Sequence, residues 1–510
     1  MSRPVARLAG DGARFDVEGV AIPGPDFSMS SWINVPNAER STIGDIAARF
    51  DPVERRGFSL GVHHGSPCGN HGNDRNLFFG VDSGTAPAWT DHGRPSASTI
   101  MVCALAVHDG SLYAATWEAG QSDTGHVYRL DDESWVDCGT PGQANAVTRL
   151  AVHAGRLYAG TSRLRAGGSD MSESTNPVAG GQVLRYEGGR EWSDVIRLAG
   201  ADSIAGLVPF AGDLYAIPMY SEGMFRGAAR GTWSSSGSPG RRLLALGVHA
   251  GALYGAGNDH FDVASAIAQT AAGIVVPARS PEGGGGVFRY DPESGWTSIG
   301  MQPDTTQVYS IETYGDRLHI GTWPHGIVFR HERGQWAACG QVGDETEVMN
   351  LLAFNGKLYA GTLPGAEVRR LDDIGWTPVG TLDRTLDVRY RRAASMAVFR
   401  GELFVGTLPS GRVHSMTAGL VASDDRALGL GWRHVAAIRR GSAIELFVDG
   451  NLVGRRAGDG AGSLGLDRPA TLALGGGPRG GFEGELADVR LHDRALTERH
   501  IRAAAARPPS

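Results

Sequence analysis

Seven times along the chain, two apolar stretches flank a short polar turn in one repeating arrangement: LAVHDGSLYAAT, LAVHAGRLYAGT, LVPFAGDLYAIP, LGVHAGALYGAG, IETYGDRLHIGT, LAFNGKLYAGT and MAVFRGELFVGT. Leu112, Leu157, Leu214, Leu253, Leu318, Leu358 and Leu403 anchor the second stretch of each. The turns usually hold glycine, as a tight connection between antiparallel strands requires, so each unit predicts a hairpin. A third strand follows (HVYRL, QVLRY, VFRY, IVFRH, EVRRL, RVHSM). A fourth carries tryptophan, and seven such strands occur, at Trp89, Trp135, Trp192, Trp233, Trp296, Trp336 and Trp376.

Four antiparallel strands repeating at roughly forty residues or more are the signature of a β-propeller blade. The two series are out of phase, because a tryptophan strand comes first and a hairpin comes last. A closed ring accounts for the offset if the Trp89 strand completes the blade of Leu403 and pairs with the strand around Val413. Closure of that kind leaves few exposed edges. The expectation is an all-β chain whose central part is a seven-bladed propeller.

Outside the ring the chain also alternates apolar and polar residues, and VDGN is a two-residue hairpin turn. FSMSSW before the ring and WRHVAAI, ELFVDGNLVG and GELADVRLHDRALT after it together resemble the laminin-G-like, concanavalin-A-like lectin family, a jelly-roll sandwich. The resemblance implies one sandwich made from residues 1–86 and 418–510, with the propeller inserted over 87–417, entering near Ala86 and leaving near Thr417. It also implies a short C-terminal helix with Thr497 as N-cap. In many relatives an acidic pair precedes the last Val-Arg strand; here Ala487 stands before Asp488, which weakens transfer of a calcium site.

Length and composition fit this division. At 510 residues the chain needs more than one core, and 75 glycines suit many turns. A net charge of −7 without a basic block speaks against nucleic acid as partner. No apolar run is long enough to span a bilayer. The start, MSRPVARLAGDGARF, lacks the apolar core of a signal peptide, giving the expectation of a cytoplasmic or a processed exported chain. Cys68, Cys103, Cys138 and Cys339 are too few for a disulfide framework, and Cys138 and Cys339 occupy equivalent places in distant blades. Oligomeric state is left open.

The repeat register locates candidate chemistry. Eleven residues before each anchor leucine the inner strand reaches the channel mouth, at Met101, Ala146, Ser203, Arg242, Gln307, Glu347 and Arg392. Five of these seven are polar, where a purely structural core would use apolar groups. Five residues after each leucine lie Trp117, Ser162, Met219, Asn258, Trp323, Leu363 and Leu408. Two long loops, Ser162–Gly181 and Asn258–Gly286 (with a short helix over Val263–Ala272), fall on the same face and suggest a lidded pocket or tolerated insertions. Trp117 and Trp323, flanked by Glu118 and His325, are candidates to stack on sugar rings, or else fill gaps between blades. His260 lies on the same face.

Arg389, Tyr390, Arg391 and Arg392 precede the last inner strand. Clustered guanidiniums suit carboxylate or sulfate groups; an inter-blade belt with Asp344, Glu345 and Glu347 is the structural alternative. His108, His153 and His249 replace Phe or Tyr of other repeats and read as turn packing. In HHGSPCGNHGNDRN, the residues His63, His64, Cys68 and His71, with Asp74 in the same short loop, could ligate a metal, yet no standard finger or catalytic pattern is matched, and a rigid loop at the domain seam is the alternative. A divalent metal, zinc or calcium, is thus the only cofactor given a place.

These features suggest a carbohydrate-handling protein. Lyase chemistry on a uronic-acid polymer needs a carboxylate neutraliser (Arg242, Arg391, Arg392) and a base (His325, Tyr309 or Tyr390). Hydrolysis would draw two carboxylates from Glu118, Glu345 and Glu347. The S-x-D-x-G-x-T-W boxes of sialidase propellers are missing. A non-catalytic glycan-binding protein and a protein-interaction scaffold are the alternatives.

Overall fold

The computed structural model describes residues 4–36, 40–65, 67–119, 123–165, 171–227, 231–258, 286–302, 304–458 and 464–509. Strands from both ends of the chain interleave into two six-stranded sheets. One runs Val5–Ala9, Glu483–His492, Phe27–Val35, Gly431–Arg440, Ala443–Val448 and Asn451–Ala457. The other runs Phe15–Val20, Ala470–Leu474, Ile43–Asp51, Arg56–Gly65, Asn73–Ser83 and Leu420–Ala427. The alternating apolar residues of each, including Phe27, Met29, Phe58, Leu60, Phe79, Val435, Leu446 and Phe482, meet in one dry core. At VDGN, Asp449 (φ 50°) and Gly450 (φ 80°) both take the left-handed conformation that a two-residue hairpin turn demands. Thr497 caps the helix Glu498–Ala505, but its hydroxyl meets the ring of His500 (2.8 Å) rather than a backbone amide. Asp488 is tied to Arg490 (2.8 Å). No helix among the described residues is long and apolar enough to cross a membrane.

Between Ala88 and Thr417 the described strands group into seven four-stranded antiparallel sheets, the first two joined through Trp117 and Ala146. This is a β-propeller inserted into a concanavalin-A-like sandwich. Its last sheet is Arg392–Phe399, Glu402–Leu408, Val413–Thr417 and Ala88–Asp91, with Trp89 opposite Met416. First and last strands of the array therefore zip together.

The tryptophan of the outer strand clasps neighbouring blades. Trp135 Nε1 donates to the carbonyl of His92 (3.0 Å), Trp192 to Cys138 (2.8 Å), Trp336 to Ile299 (3.0 Å) and Trp376 to Cys339 (3.1 Å). Trp89 closes the ring on Val379 (2.7 Å). Each acceptor lies three residues beyond the preceding blade's tryptophan. The indoles of Trp233 and Trp296 are buried without such a partner, so the third blade is unclasped on both sides. All four cysteines are free.

The sandwich sits across the propeller's hairpin-turn face, rather than merely beside the closing blade. Gly110 N donates to Asp425 O (3.1 Å), Gly315 N to Pro478 O (2.7 Å), Lys357 Nζ to Pro52 O (2.8 Å) and Asn355 Nδ2 to Val81 O (3.2 Å). Arg479 is buried in this seam, donating to Ala353 O (2.8 Å), and it interacts with the buried carboxyls of Asp45 and Glu312. Burial pushes both carboxyls up to about 7, the Arg479 guanidinium opposing.

The histidine-rich loop goes beyond the seam and enters the channel. Asn73 exchanges two hydrogen bonds with the backbone of Val398 (2.7 and 2.9 Å). Val107 N donates to Gly72 O (2.8 Å) and His71 N to Leu150 O (2.9 Å). Asn70 bridges two blades, giving its amide to Leu105 O (2.6 Å) and accepting from Leu150 N (2.7 Å). The tip, Pro67–Gly69, packs on the inner strands of blades three to seven. A Cβ on Gly69 would stand 3.1 Å from Ala205 O, so glycine permits this approach. The loop is a plug, and the backbone N–H of His71 and carbonyl of Gly72 are satisfied by the inner strands it crosses.

Candidate functional site

Strand register brings the mouth positions together as the repeats imply. Met101 pairs with Trp117, Ala146 with Ser162, Gln307 with Trp323, Glu347 with Leu363 and Arg392 with Leu408. Met219 N and Asn258 N donate to the carbonyls of Ser203 and Arg242 (2.9 Å each). Two residues deeper, every inner strand carries a bulge, at Cys103, Thr148, Ala205, Leu244, Tyr309, Met349 and Ala394. A bulge adds one residue and re-aims its side chain. No residue pattern marks it, since Cys, Thr, Ala, Leu, Tyr and Met all fill the position.

The plug tip reaches this level and floors the mouth. Cys68, in the left-handed region (φ 51°), feels the charges of Arg149, Glu347 and Arg392, while burial pushes its thiol up. Burial likewise raises Cys103 to about 12, with Arg149 and Arg392 opposing. Above the tip stand Arg242, Gln307, Tyr309, Glu347 and Arg392. Glu347 is 5% exposed, and burial raises its carboxyl to about 7 against the pull of Arg392. Arg242 gives Nη1 to Met219 O (3.0 Å) and interacts with Tyr309 and Tyr220. This arrangement offers guanidinium groups for an anion beside a carboxyl able to exchange a proton near neutrality.

Several sequence-derived candidates take other roles. Trp117 is only 2% exposed and packs with Met101, Cys103, Ala146, Ala394 and Leu408, so it fills the gap between blades and cannot stack on a sugar. Glu118 accepts hydrogen bonds from Ser96, Ser98, Thr99, Thr116 and Tyr128 (2.7–3.2 Å), which consume its lone pairs in an inter-strand knot. Glu345 likewise accepts from Thr362 Oγ1 (2.7 Å) and Gly365 N (2.9 Å). Asn258 is wholly buried, its Oδ1 accepting from Val308 N (3.4 Å).

Tyr309 donates its hydroxyl to Gln307, and burial drives its phenol upward, which makes it a poor base. Tyr390 is buried against Met349 and Leu363 under the Arg389 guanidinium, where packing leaves it no base role. Arg391 gives Nε to Thr385 O (2.8 Å), outside the ring. Trp323 is half-buried at the mouth and His325 is exposed beside it. His260 and the helix over 263–272 lie outside the described residues. In the first long loop, Leu164 and Met171 lie on the Trp117 cluster, and Asn176 ties back to Asp123 O (2.7 Å) and Gln143 O (3.0 Å).

The repeat histidines pack as expected: His108, His153 and His249 each face the tyrosine across their hairpin, at 6.1, 6.3 and 6.2 Å between ring centres. The plug separates the four metal candidates. His63 stacks on Phe78 (4.2 Å), and Cys68 is at the tip in the channel. His64 and His71 come together instead with Asp74 of the same loop.

The site and the fold can now be set against known proteins. Residues 409–502 match the model of the concanavalin A-like lectin/glucanases superfamily. That match covers the last propeller strand and the second half of the sandwich. No curated protein sequence matches the chain. Among solved structures, a streptogramin B lyase is similar over 65% of this chain and 97% of its own, at 9% identity and a TM-score of 0.48. A catalytically inactive virginiamycin B lyase from Staphylococcus aureus, solved with quinupristin, is similar over 65% and 99%, at 13% identity and 0.47. YCF48 bound to D1 peptide follows at 65% and 97%, 9% and 0.41.

Proposed function

We propose that the protein handles an acidic glycan at the mouth of the propeller channel, with Arg392 and Arg242 receiving a uronate carboxylate and Glu347 serving as proton acceptor. The observation that carries this reading is the buried Glu347 carboxyl under the charge of Arg392 in a polar ring floored by the plug. A lyase removes the proton α to the carboxylate while the bond to the glycosidic oxygen breaks, leaving a carbon–carbon double bond. Guanidinium neutralisation of the carboxylate stabilises the charge that develops. A carboxyl near 7 is matched to taking that proton at neutral pH. The leaving oxygen gains its proton from water.

The ring does not favour hydrolysis. Two carboxylates flanking the scissile bond are needed, and Glu118 and Glu345 are held in hydrogen bonds. Glycan binding without turnover is the second reading, resting on Trp323, half-buried and the one mouth tryptophan among the fourteen register positions left to stack on a sugar once Trp117 is buried. Incubation with neutral, uronic and sulfated polysaccharides separates the two. Ultraviolet absorbance from an unsaturated uronate supports a lyase, and binding without product supports the lectin reading. New reducing ends without that absorbance, or no binding to any acidic polymer, would refute the proposal.

A further inference from the structure

The two legs of the plug bring His64, His71 and Asp74 into one cluster whose donor atoms all lie within 4.8 Å of one another, all three residues being buried. His64 ends the strand Arg56–Gly65, Asp74 begins Asn73–Ser83, and His71 comes from the loop between. His64 Nδ1 stands 3.3 Å from Asp74 Oδ1. Donors arranged tetrahedrally at the zinc–nitrogen distance are about 3.3 Å apart. His71 supplies the second observation: it is 1% exposed, and neither ring nitrogen makes a well-aligned hydrogen bond. Buried polar groups in folded proteins are nearly always paired, and with one His71 nitrogen turned to the backbone of Val152, the other, beside a histidine–aspartate pair, calls for a ligand. The adjacent Arg75 gives its Nε and Nη1 to Leu428 O (3.0 Å) and Pro36 O (2.8 Å), and its charge also acts on Asp74.

We propose that His64, His71 and Asp74 bind one divalent cation of the zinc class, which staples the plug's two legs at the seam between sandwich and propeller. Two imidazoles and one carboxylate are a donor set suited to zinc and its first-row neighbours rather than to calcium, which takes oxygen ligands. Three protein ligands leave a coordination position open. His64 and Asp74 line a cavity of about 820 Å³, together with His153, Arg156 and Arg185, so that position faces a space able to admit the ion and a water or anion completing its shell. The site is separate from the channel mouth and does not depend on the glycan reading.

The test uses the full-length protein, dialysed against chelator and titrated with Zn²⁺ by calorimetry, and compared with His71→Ala, His64→Ala and Cys68→Ser. The expected result is one ion per chain, with affinity falling at least about 100-fold in either histidine variant; loss of an outer-shell group alone costs roughly 10–100-fold. Cys68→Ser should bind as the wild type does. If a histidine variant fails to fold, X-ray absorption of the zinc-loaded wild type decides: a first shell of nitrogen and oxygen with imidazole scattering supports the site, and a sulfur neighbour overturns it. Absence of stoichiometric binding to the wild type, or binding unchanged in both folded histidine variants, also overturns it.

Discussion

Asn70→Ala tests whether the plug is part of the propeller's structure or merely lies within it. The Asn70 amide is 4% exposed and joins two blades, donating to Leu105 O and accepting from Leu150 N. Alanine removes both bonds and leaves one buried carbonyl and one buried amide unsatisfied. Each orphaned group costs about 1–3 kcal/mol, and partial rescue by water places the sum at roughly 2–4 kcal/mol, a large share of the 5–15 kcal/mol typical of a folded domain. Because a two-unit chain need not unfold in one step, amide hydrogen exchange is the better assay. The Leu150 amide, its opening free energy lowered by this amount, should exchange about 30- to 1000-fold faster. The amides of Val107 and His71, bonded along the same loop, should follow it. Exchange within about twofold of wild type at all three would refute the plug as a structural element.

Trp117→Ala should cost about 3–5 kcal/mol of stability, as loss of a fully buried large aromatic does, while glycan binding per folded molecule stays near wild type; lost binding with an unchanged denaturation midpoint would restore the stacking role. Trp376→Phe removes a clasp to Cys339 and should lower stability by about 1–2 kcal/mol, whereas Trp233→Phe, which has no such bond to lose, should cost clearly less. The seam should weaken as pH rises. Asp45 and Glu312 titrate near 7 when folded, against about 4 unfolded, so the folded state holds protons the unfolded chain releases. Their contribution is full below about pH 4 and is lost as pH rises through about 7. The urea midpoint should fall between pH 5 and pH 8, and Glu312→Gln should flatten that fall; a midpoint rising over this range would contradict the assignment.

The ring was legible because each blade must repeat one hairpin, and the anchor leucines carry a register that places Arg242, Gln307, Glu347 and Arg392 at a common height. Closure through Trp89 could be read from phase alone. The plug could not. Its bonds join Asn70 and Asn73 to strands as far away as Val398, and no local pattern announces a partner more than three hundred residues distant. Trp117 misled because an indole at a mouth position reads the same whether it faces solvent or an adjoining blade; Ala146 and Ala394 beside it make the space it fills. Glu118 misled for a similar reason, although the hydroxyls of Ser96, Ser98 and Thr99 upstream were a visible sign that a carboxylate would be surrounded. In the histidine loop the residue types were right for a metal, but spacing alone did not separate a tip residue such as Cys68 from the two legs where His64, His71 and Asp74 meet.

The central claim is that the ring above the plug recognises an acidic glycan through Arg392 with Glu347 beside it. Calorimetric titration of the wild type and Arg392→Ala with an oligouronate and its neutral, uncharged counterpart tests it most directly. The wild type should bind the oligouronate at least about tenfold more tightly than the neutral chain, equivalent to roughly 1.4 kcal/mol, and Arg392→Ala should abolish that preference. Equal affinity for the two oligosaccharides, or a preference that survives in Arg392→Ala, would contradict it.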